Sequence, residues 1–315
     1  MRKSLALVLS AGLLVGLAAC SSPSTPDCTG AATSGPASEG IDVTGDFGKA
    51  PTVTFGTPLD STDVQRTILT QGDGPQTGEG GTVLVDYSVY NAETGEQVAG
   101  TSYQEGAQQL WTLTQQGAPA PGLDSALACV NAGSRVALTL PADSDAQTPA
   151  FVLVVDVDAT YPRAASGGDV PAVAGFPSVV HDDTGRPGIT VVSGTDETTF
   201  RSTALKKGDG PEVQDGDTLL VQFTSVNMDT KKVAASTWEK GSTQALSAKS
   251  NDDPSISGVE KISDAMVGAN VGDEIIAVVP ADAASSSANA SQAASVYVID
   301  ILGILPAGLQ IQQQR

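Results

Sequence analysis

The sequence predicts an α+β fold: two tandem units, each an antiparallel sheet wrapped on one short helix. Three observations carry this. One block of sequence occurs twice. Within each copy, apolar and polar residues alternate over several short runs, the period-two signature of half-buried strands. Each copy also holds a single run with helical spacing, too little helix for anything but one element packed on a sheet.

The repeat comes first, because it organises everything else. Gly72-Asp73-Gly74-Pro75 recurs as Gly208-Asp209-Gly210-Pro211, 136 positions later. Val83-Leu84-Val85-Asp86-Tyr87 matches Leu219-Leu220-Val221-Gln222-Phe223 at the same spacing. Further on the spacing drifts by a few residues, as loop insertions would cause. Val98 to Tyr103 matches Val233 to Trp238, Gly122-Leu123 matches Gly258-Val259, and Leu138 to Asp143 matches Ala277 to Asp282. Val154-Val155-Asp156-Val157 matches Val298-Ile299-Asp300-Ile301. The lead-in repeats too, with Gly48-Lys49 and Val53 against Gly185-Arg186 and Ile189.

Each element follows from its pattern. Val83, Val85, Tyr87 and Val89 alternate, which predicts a strand with one buried face. Val136, Leu138 and Leu140 do the same and stop at Pro141, while the continuous run from Phe151 to Val155 suits a central strand. Leu123, Leu127 and Val130 are spaced i, i+4, i+7, and Gly133 stands where a helix end favours a left-handed residue. The second copy offers Val259, Ile262 and Met266, closed by Gly272. Units are therefore expected at 45–162 and 176–307. An Ala-, Gly- and Pro-containing linker is expected at 163–175 and a polar tail at 308–315.

The beginning of the chain reads as an export signal. Arg2 and Lys3 precede an uncharged, mostly apolar run from Leu5 to Leu17, and small residues lead to Cys20. The run is shorter than the roughly 20 apolar residues that span a membrane and suits a signal-peptide core. Residues 1–19 are expected to be removed. Leu17-Ala18-Ala19-Cys20 resembles the bacterial lipobox, which implies a lipid on Cys20 and a membrane-anchored, extracytoplasmic location. Residues 20–44, rich in Ser, Thr, Pro, Ala and Gly, read as a flexible tether.

Composition excludes several functions. The 315 residues carry a net charge of −20, which argues against nucleic acid as a partner and leaves membrane attachment to the lipid. His181 is the one histidine; with no second His and no CxxC, zinc chemistry and His-activated nucleophiles have little to work with. His181 is read as a loop residue, and neither metal nor cofactor is expected. Cys28 and Cys129 remain once Cys20 is lipidated. In an oxidising compartment two such thiols either pair or stay free, and sequence supplies no distance to decide.

The ordered motifs resemble the FKBP-type peptidyl-prolyl isomerases. That family runs Gly-x-Gly, a Val-x-Val-x-Tyr strand, Gly-x-x-Phe-Asp-Ser-Ser, Val-Ile-x-Gly-Trp opening a helix, a strand ending in Pro, and a Leu-x-Phe-x-Val strand. Gly72 to Tyr87, Gly95 to Ser102, Gly122 to Gly133, Val136 to Pro141 and Leu153 to Val157 follow that order, and the second copy repeats it. The resemblance implies rotation of X-Pro bonds in exported, proline-containing polypeptides, using an apolar bowl and no acid, base or cofactor. It places Tyr87 and its counterpart Phe223 on the bowl wall. Ile256 would offer its backbone N–H to a substrate carbonyl. Val98, Leu123 and Val155, with Val233, Val259 and Ile299 in the second copy, fall where the family has Phe, Trp and Phe. Trp111 lies near the strand that supplies another bowl aromatic; ordinary core packing is the plain reading for it, as for Tyr103 and Trp238. Aromatics make up only 4% of the chain, and the family's Asp is absent from both copies. The altered bowl supports an alternative, an inactive pair of modules that binds clients or partners.

Overall fold

The computed structural model describes residues 28–145, 147–192, 194–250, 259–281 and 293–310. The signal segment, Cys20 and Ile256 lie outside them.

In chain order, the first half contains α1 (Pro36–Glu39), β1 (Asp42–Thr44), β2 (Thr52–Thr54), β3 (Gln65–Thr70), β4 (Thr82–Asn91), β5 (Gln97–Gly100), β6 (Gln109–Thr112), α2 (Leu123–Leu127), β7 (Ser134–Leu140) and β8 (Phe151–Tyr161). Then follow β9 (Gly168–Asp169), β10 (Ser178–His181), β11 (Pro187–Thr190), β12 (Arg201–Lys207), β13 (Thr218–Asn227), β14 (Val233–Ser236), α3 (Thr237–Lys240), β15 (Gln244–Ser247), α4 (Val259–Met266), β16 (Glu274–Val279) and β17 (Ser295–Ile304). The first sheet runs β3-β7-β8-β4-β5, with β6 also on β4; the second runs β12-β16-β17-β13-β14, with β15 on β13 and β9 on the outer edge of β12. All of these pairings are antiparallel. The sequence repeat is thus a repeat of strand order.

One face of each sheet carries the alternating apolar set. Val83 and Val85 of β4, Val136 and Leu138 of β7, and Val155 and Val157 of β8 close over Leu123 and Leu127 of α2. Each such side chain contributes about 1.5–3 kcal/mol on leaving water. Leu219, Val221, Ile275, Ala277, Ile299 and Ile301 do the same over Ile262 and Met266 of α4. Helix α2 is shorter than its spacing suggested. It stops at Leu127, and Cys129, with φ +57°, takes the left-handed turn expected of Gly133. Gly133, at φ +87°, serves the entry to β7 instead. The repeated Gly-Asp-Gly-Pro has a steric origin: a Cβ on Gly72 would lie 2.1 Å from the Ala132 carbonyl oxygen, and one on Gly208 2.3 Å from that of Val271. Asn131 Nδ2 donates to the Gly74 carbonyl and Asn270 Nδ2 to that of Gly210, each at 2.9 Å.

The other face of each sheet is covered as well, which the sequence reading did not anticipate. The hairpins β1–β2 and β10–β11 lie there. Val43 and Val53 pack on Tyr90, Ala137 and Val152, while Val179 and Ile189 pack on Ile276, Val278 and Val298. Beside the hairpins the two sheets meet. Leu84 and Tyr161 join Leu220, Leu302 and Leu305 in one buried cluster, and Gly303 lies so close to the Tyr161 ring that a Cβ would be 2.4 Å from it. Leu84 and Leu220 are repeat equivalents, so the contact is nearly symmetric. Thr114 Oγ1 donates to the Gly241 carbonyl across it, at 2.7 Å.

Residues 28–44, read from composition as part of a tether, are docked on the first unit. Cys28 is disulfide-bonded to Cys129, the Arg66 N–H donates to the Thr33 carbonyl, and Ser38 is fully buried. These contacts supply what apolar content alone does not. The linker is likewise docked: Ala165 is buried and β9 pairs with β12. In the tail, the Gln310 N–H donates to the Gly106 carbonyl. His181 is not in a loop but ends β10, where its Nε2 lies 2.6 Å from Glu274 Oε1.

Candidate functional site

The register of the first sheet brings together four of the residues expected to line the bowl. Tyr87 on β4 sits opposite Val155 on β8, and Trp111 on β6 sits opposite Val83, four residues earlier on β4. Helix α2 begins at Leu123. All four side chains join one apolar cluster, with Val64, Val89, Ala118, Ala120 and Phe151 at its partly buried edge. Trp111 is buried, and its ring centroid lies 4.8 Å from that of Tyr87 at an interplanar angle of 52°. Gln109 ties the pair together: its Oε1 accepts from the Tyr87 hydroxyl at 3.2 Å and from Trp111 Nε1 at 3.4 Å. Burial pushes the Tyr87 phenol above its ordinary pKa, and the Gln109 contact pulls against that. Tyr87 therefore stays a neutral O–H donor at physiological pH.

The second sheet builds the same frame with other side chains. Phe223 sits opposite Ile299, and Leu246 takes the place of Trp111, opposite Leu219. Phe223, Ile299 and Leu246 share one cluster. Tyr297, two residues before Ile299 on the same face of β17, adds a ring 6.2 Å from Phe223 at 38°. Neither Tyr297 nor Gln109 was picked out by motif matching. Alternation along β17 was the available signal for Tyr297. Gln109 carried none, because its role is a side-chain contact. Val259 opens the described part of α4.

Val98 and Val233 are not part of either cluster. They lie on β5 and β14, edge strands of their sheets, and are 53% and 44% exposed. Ala99 and Ala234 follow them where the motif would carry Asp, so no carboxylate comes from that position. A threonine next to each edge strand fixes the bowl strand instead. Thr101 Oγ1 donates to Asp86 and accepts the Tyr87 N–H; Thr237 Oγ1 donates to Gln222 and accepts the Phe223 N–H. Tyr103 and Trp238 serve elsewhere. The Tyr103 hydroxyl lies 3.4 Å from that of Ser88, and the Arg163 guanidinium covers the Trp238 ring at 5.8 Å. A separate open cleft of about 500 Å³ lies at the junction of the units, lined by Thr77, Asp124, Cys129, Arg163 and Trp238 among others.

Within the first unit's cluster Tyr87 is partly exposed, while Trp111, Leu123 and Val155 are buried at 3%, 2% and 0% exposure. Among the described residues, no group of three His, Cys, Asp or Glu could hold a metal ion, and no helix is long and apolar enough to cross a membrane.

No family model matches the chain, and no curated protein sequence does either. Solved structures do. The three FKBP domains of wheat FKBP73 match over 77% of this chain and 94% of that one, at 15% identity and a TM-score of 0.31. FkpA from Escherichia coli matches over 41% of this chain and 52% of its own, at 19% identity and a TM-score of 0.28, so the chain spans about half of that protein. A putative peptidyl-prolyl cis-trans isomerase, FKBP12 from Mycobacterium tuberculosis, matches over 31% of this chain and 85% of its own, at 26% identity and a TM-score of 0.25. The chain is similar to these FKBP-type structures at TM-scores of 0.25 to 0.31; its own two sheets are antiparallel and share one strand order.

Proposed function

We propose that the two units are tandem FKBP-like domains of an exported, lipid-anchored protein, and that the first is a peptidyl-prolyl cis-trans isomerase acting on exported chains. The observation that carries this reading is the Tyr87–Trp111 pair standing over Leu123 and Val155. The reaction asks for little more. The barrier, about 18–20 kcal/mol, comes from amide resonance, and no proton has to reach an acid or base. An apolar bowl that takes the prolyl ring removes water from the amide and favours the twisted form, in which resonance is lost. In this reading the Tyr87 hydroxyl, which donates to Gln109 Oε1 in the free protein, would turn its proton to a displaced substrate carbonyl. The second unit lacks both the hydroxyl at that position and the indole, and its reading is a client-binding module. Cys20 would hold both units at the outer membrane face.

The test is isomerisation of proline peptides by the full mature chain, with several residues tried before Pro. A rate above background is expected, lost in Trp111→Leu and kept in Leu246→Ala. No rate with any peptide sinks the enzymatic reading. Binding of unfolded proline-rich chains in that case would leave both units as binding modules.

A further inference from the structure

On the outer faces of the two sheets, one repeated position reverses its charge. In the first unit Arg135 on β7 faces Asp156 on β8. Its Nε and Nη2 reach the two carboxylate oxygens at 2.6 and 2.7 Å, and the guanidinium also donates to the Gly45, Asp46 and Lys49 carbonyls of the β1–β2 turn. A fixed cation thus holds that hairpin down. In the second unit the same two positions are Glu274 and Asp300, paired directly across β16 and β17. Both are buried, at 0% and 1% exposure. Glu274 Oε2 and both carboxylate oxygens of Asp300 lack hydrogen-bond partners of ordinary geometry. From the hairpin, His181 Nε2 lies 2.6 Å from Glu274 Oε1, while Glu274 and the linker backbone at Ala165 both act on Asp300.

Two adjacent buried carboxylates cannot both stay ionised without a counter-charge. The other charged groups nearby do not supply one directly. Lys206 on β12 acts on Asp300 from a distance, while its Nζ lies 3.5 Å from the Ala165 carbonyl. Lys207 is engaged by Asp273. β13 contributes the uncharged Gln222 opposite Asp300. These residues are not grouped to hold a metal ion, so the cation that fits the gap is a proton.

We propose that Asp300, buried against Glu274 beneath His181, works as a proton-operated latch, which keeps the β10–β11 hairpin docked while Asp300 carries a proton and frees it when that proton is lost. Opening hydrates the Asp300 carboxyl, so the open state favours its ionised form. Burial first, and the Glu274 charge second, hold the docked Asp300 carboxyl well above the ordinary carboxylate range. A group raised in the docked state favours docking fully below its ordinary value and loses that contribution as pH rises through the raised one. The apolar contacts of Val179 and Ile189 do not titrate, and they set the residual docking at high pH.

Hydrogen exchange on the full chain between about pH 5 and about pH 9, corrected for intrinsic rates, tests this. Protection over residues 178–190 is expected to fall with rising pH by up to about tenfold per unit. Asp300→Asn and Glu274→Gln are each expected to flatten the slope. Asp158→Asn, which removes a first-unit carboxyl raised to about 7, must leave it unchanged. Protection over 178–190 that ignores pH in the unmodified protein overturns the latch, whether or not the variants fold. So does a slope that survives in Asp300→Asn and Glu274→Gln, or one abolished by Asp158→Asn.

Discussion

The two units share strand order, hairpin and glycine positions, and three of the equivalent sites at which they differ bear on function. Tyr87 faces Phe223, Trp111 faces Leu246, and Arg135 faces Glu274 across the repeat. The first two exchanges sit on the helix-facing side and keep a large apolar group in place. They preserve the core while removing a hydroxyl and an indole, so scaffold and chemistry are separable there. The third sits on the outer side and reverses a charge in a buried position. The same hairpin is therefore anchored by a permanent cation in one unit and by a titratable cluster in the other.

Breaking the permanent anchor is expected to have the largest effect. Arg135→Ala leaves Asp156 buried at 0% exposure without its partner, a change that costs about 3–5 kcal/mol. Urea unfolding should show the loss in the first unit only. Replacing both Arg135 and Asp156 with apolar residues of similar size should recover most of it, because the penalty lies in the orphaned charge. A double variant as unstable as Arg135→Ala would show that the guanidinium contacts to the β1–β2 turn dominate instead.

Next comes the Cys28–Cys129 bond, which belongs to the first unit and spans 101 residues. Its reduction is expected to cost about 2–4 kcal/mol. Limited proteolysis should then cut between residues 28 and 41 while the second unit stays intact. Equal loss in both units would mean that the shared Leu84–Leu220 cluster makes them unfold together.

Exchanging the bowl residues sharpens the comparison further. Trp111→Leu should lower stability by about 1–3 kcal/mol and remove isomerisation. Leu246→Trp should cost a similar amount through overpacking without creating activity, since Phe223 supplies no hydroxyl.

What the sequence made legible follows from where the information lies. Alternation at Val83, Val85 and Tyr87, and its echo at Leu219, Val221 and Phe223, identified the central strands because burial on one face constrains every second residue. The glycines of the repeat were visible because backbone contact leaves no room for a Cβ. Tyr87, Trp111, Leu123 and Val155 converge as motif order suggested. Val98 and Val233 do not, because they lie exposed on edge strands. The hairpins escaped notice since three or four residues with one inward side chain give almost no periodicity. Leu84, Leu220 and Leu302 occupy outward positions of alternating strands, so only the meeting of the units explains them. His181 was misplaced for a related reason. Its partner Glu274 is 93 residues away, and nothing local marks the pair.

A smaller effect, of opposite location, should appear in the first unit as pH changes. The register shift in β8 between the partners of Leu84 and Val85 leaves Asp158 beside Asp86 and Asp156. Burial, then those two charges, push its carboxyl up to about 7, and its Oδ2 has no hydrogen-bond partner. Because the folded value is raised, the Asp158 contribution to the stability of the first unit should be full at low pH and lost as pH rises through about 7. Asp158→Asn should remove that part of the slope. Leu302 takes the same place in β17, so any matching slope in the second unit has to come from Asp300.

The smallest change is Tyr87→Phe, which gives the first unit the aromatic that the second already has. The ring, its packing on Trp111 and the Val155 contact all remain. Only the hydroxyl contact to Gln109 is lost, and Gln109 Oε1 keeps the Trp111 N–H. The stability cost should therefore be about 0.5–1.5 kcal/mol. Isomerisation carries the sharper information. If the hydroxyl serves the displaced carbonyl, kcat/KM should fall about tenfold, for about 1.4 kcal/mol of lost transition-state contact, while KM barely moves. An unchanged kcat/KM would assign the catalytic contribution to the apolar wall alone, and Phe223 would then no longer distinguish the second unit from the first; the distinction would rest on Leu246.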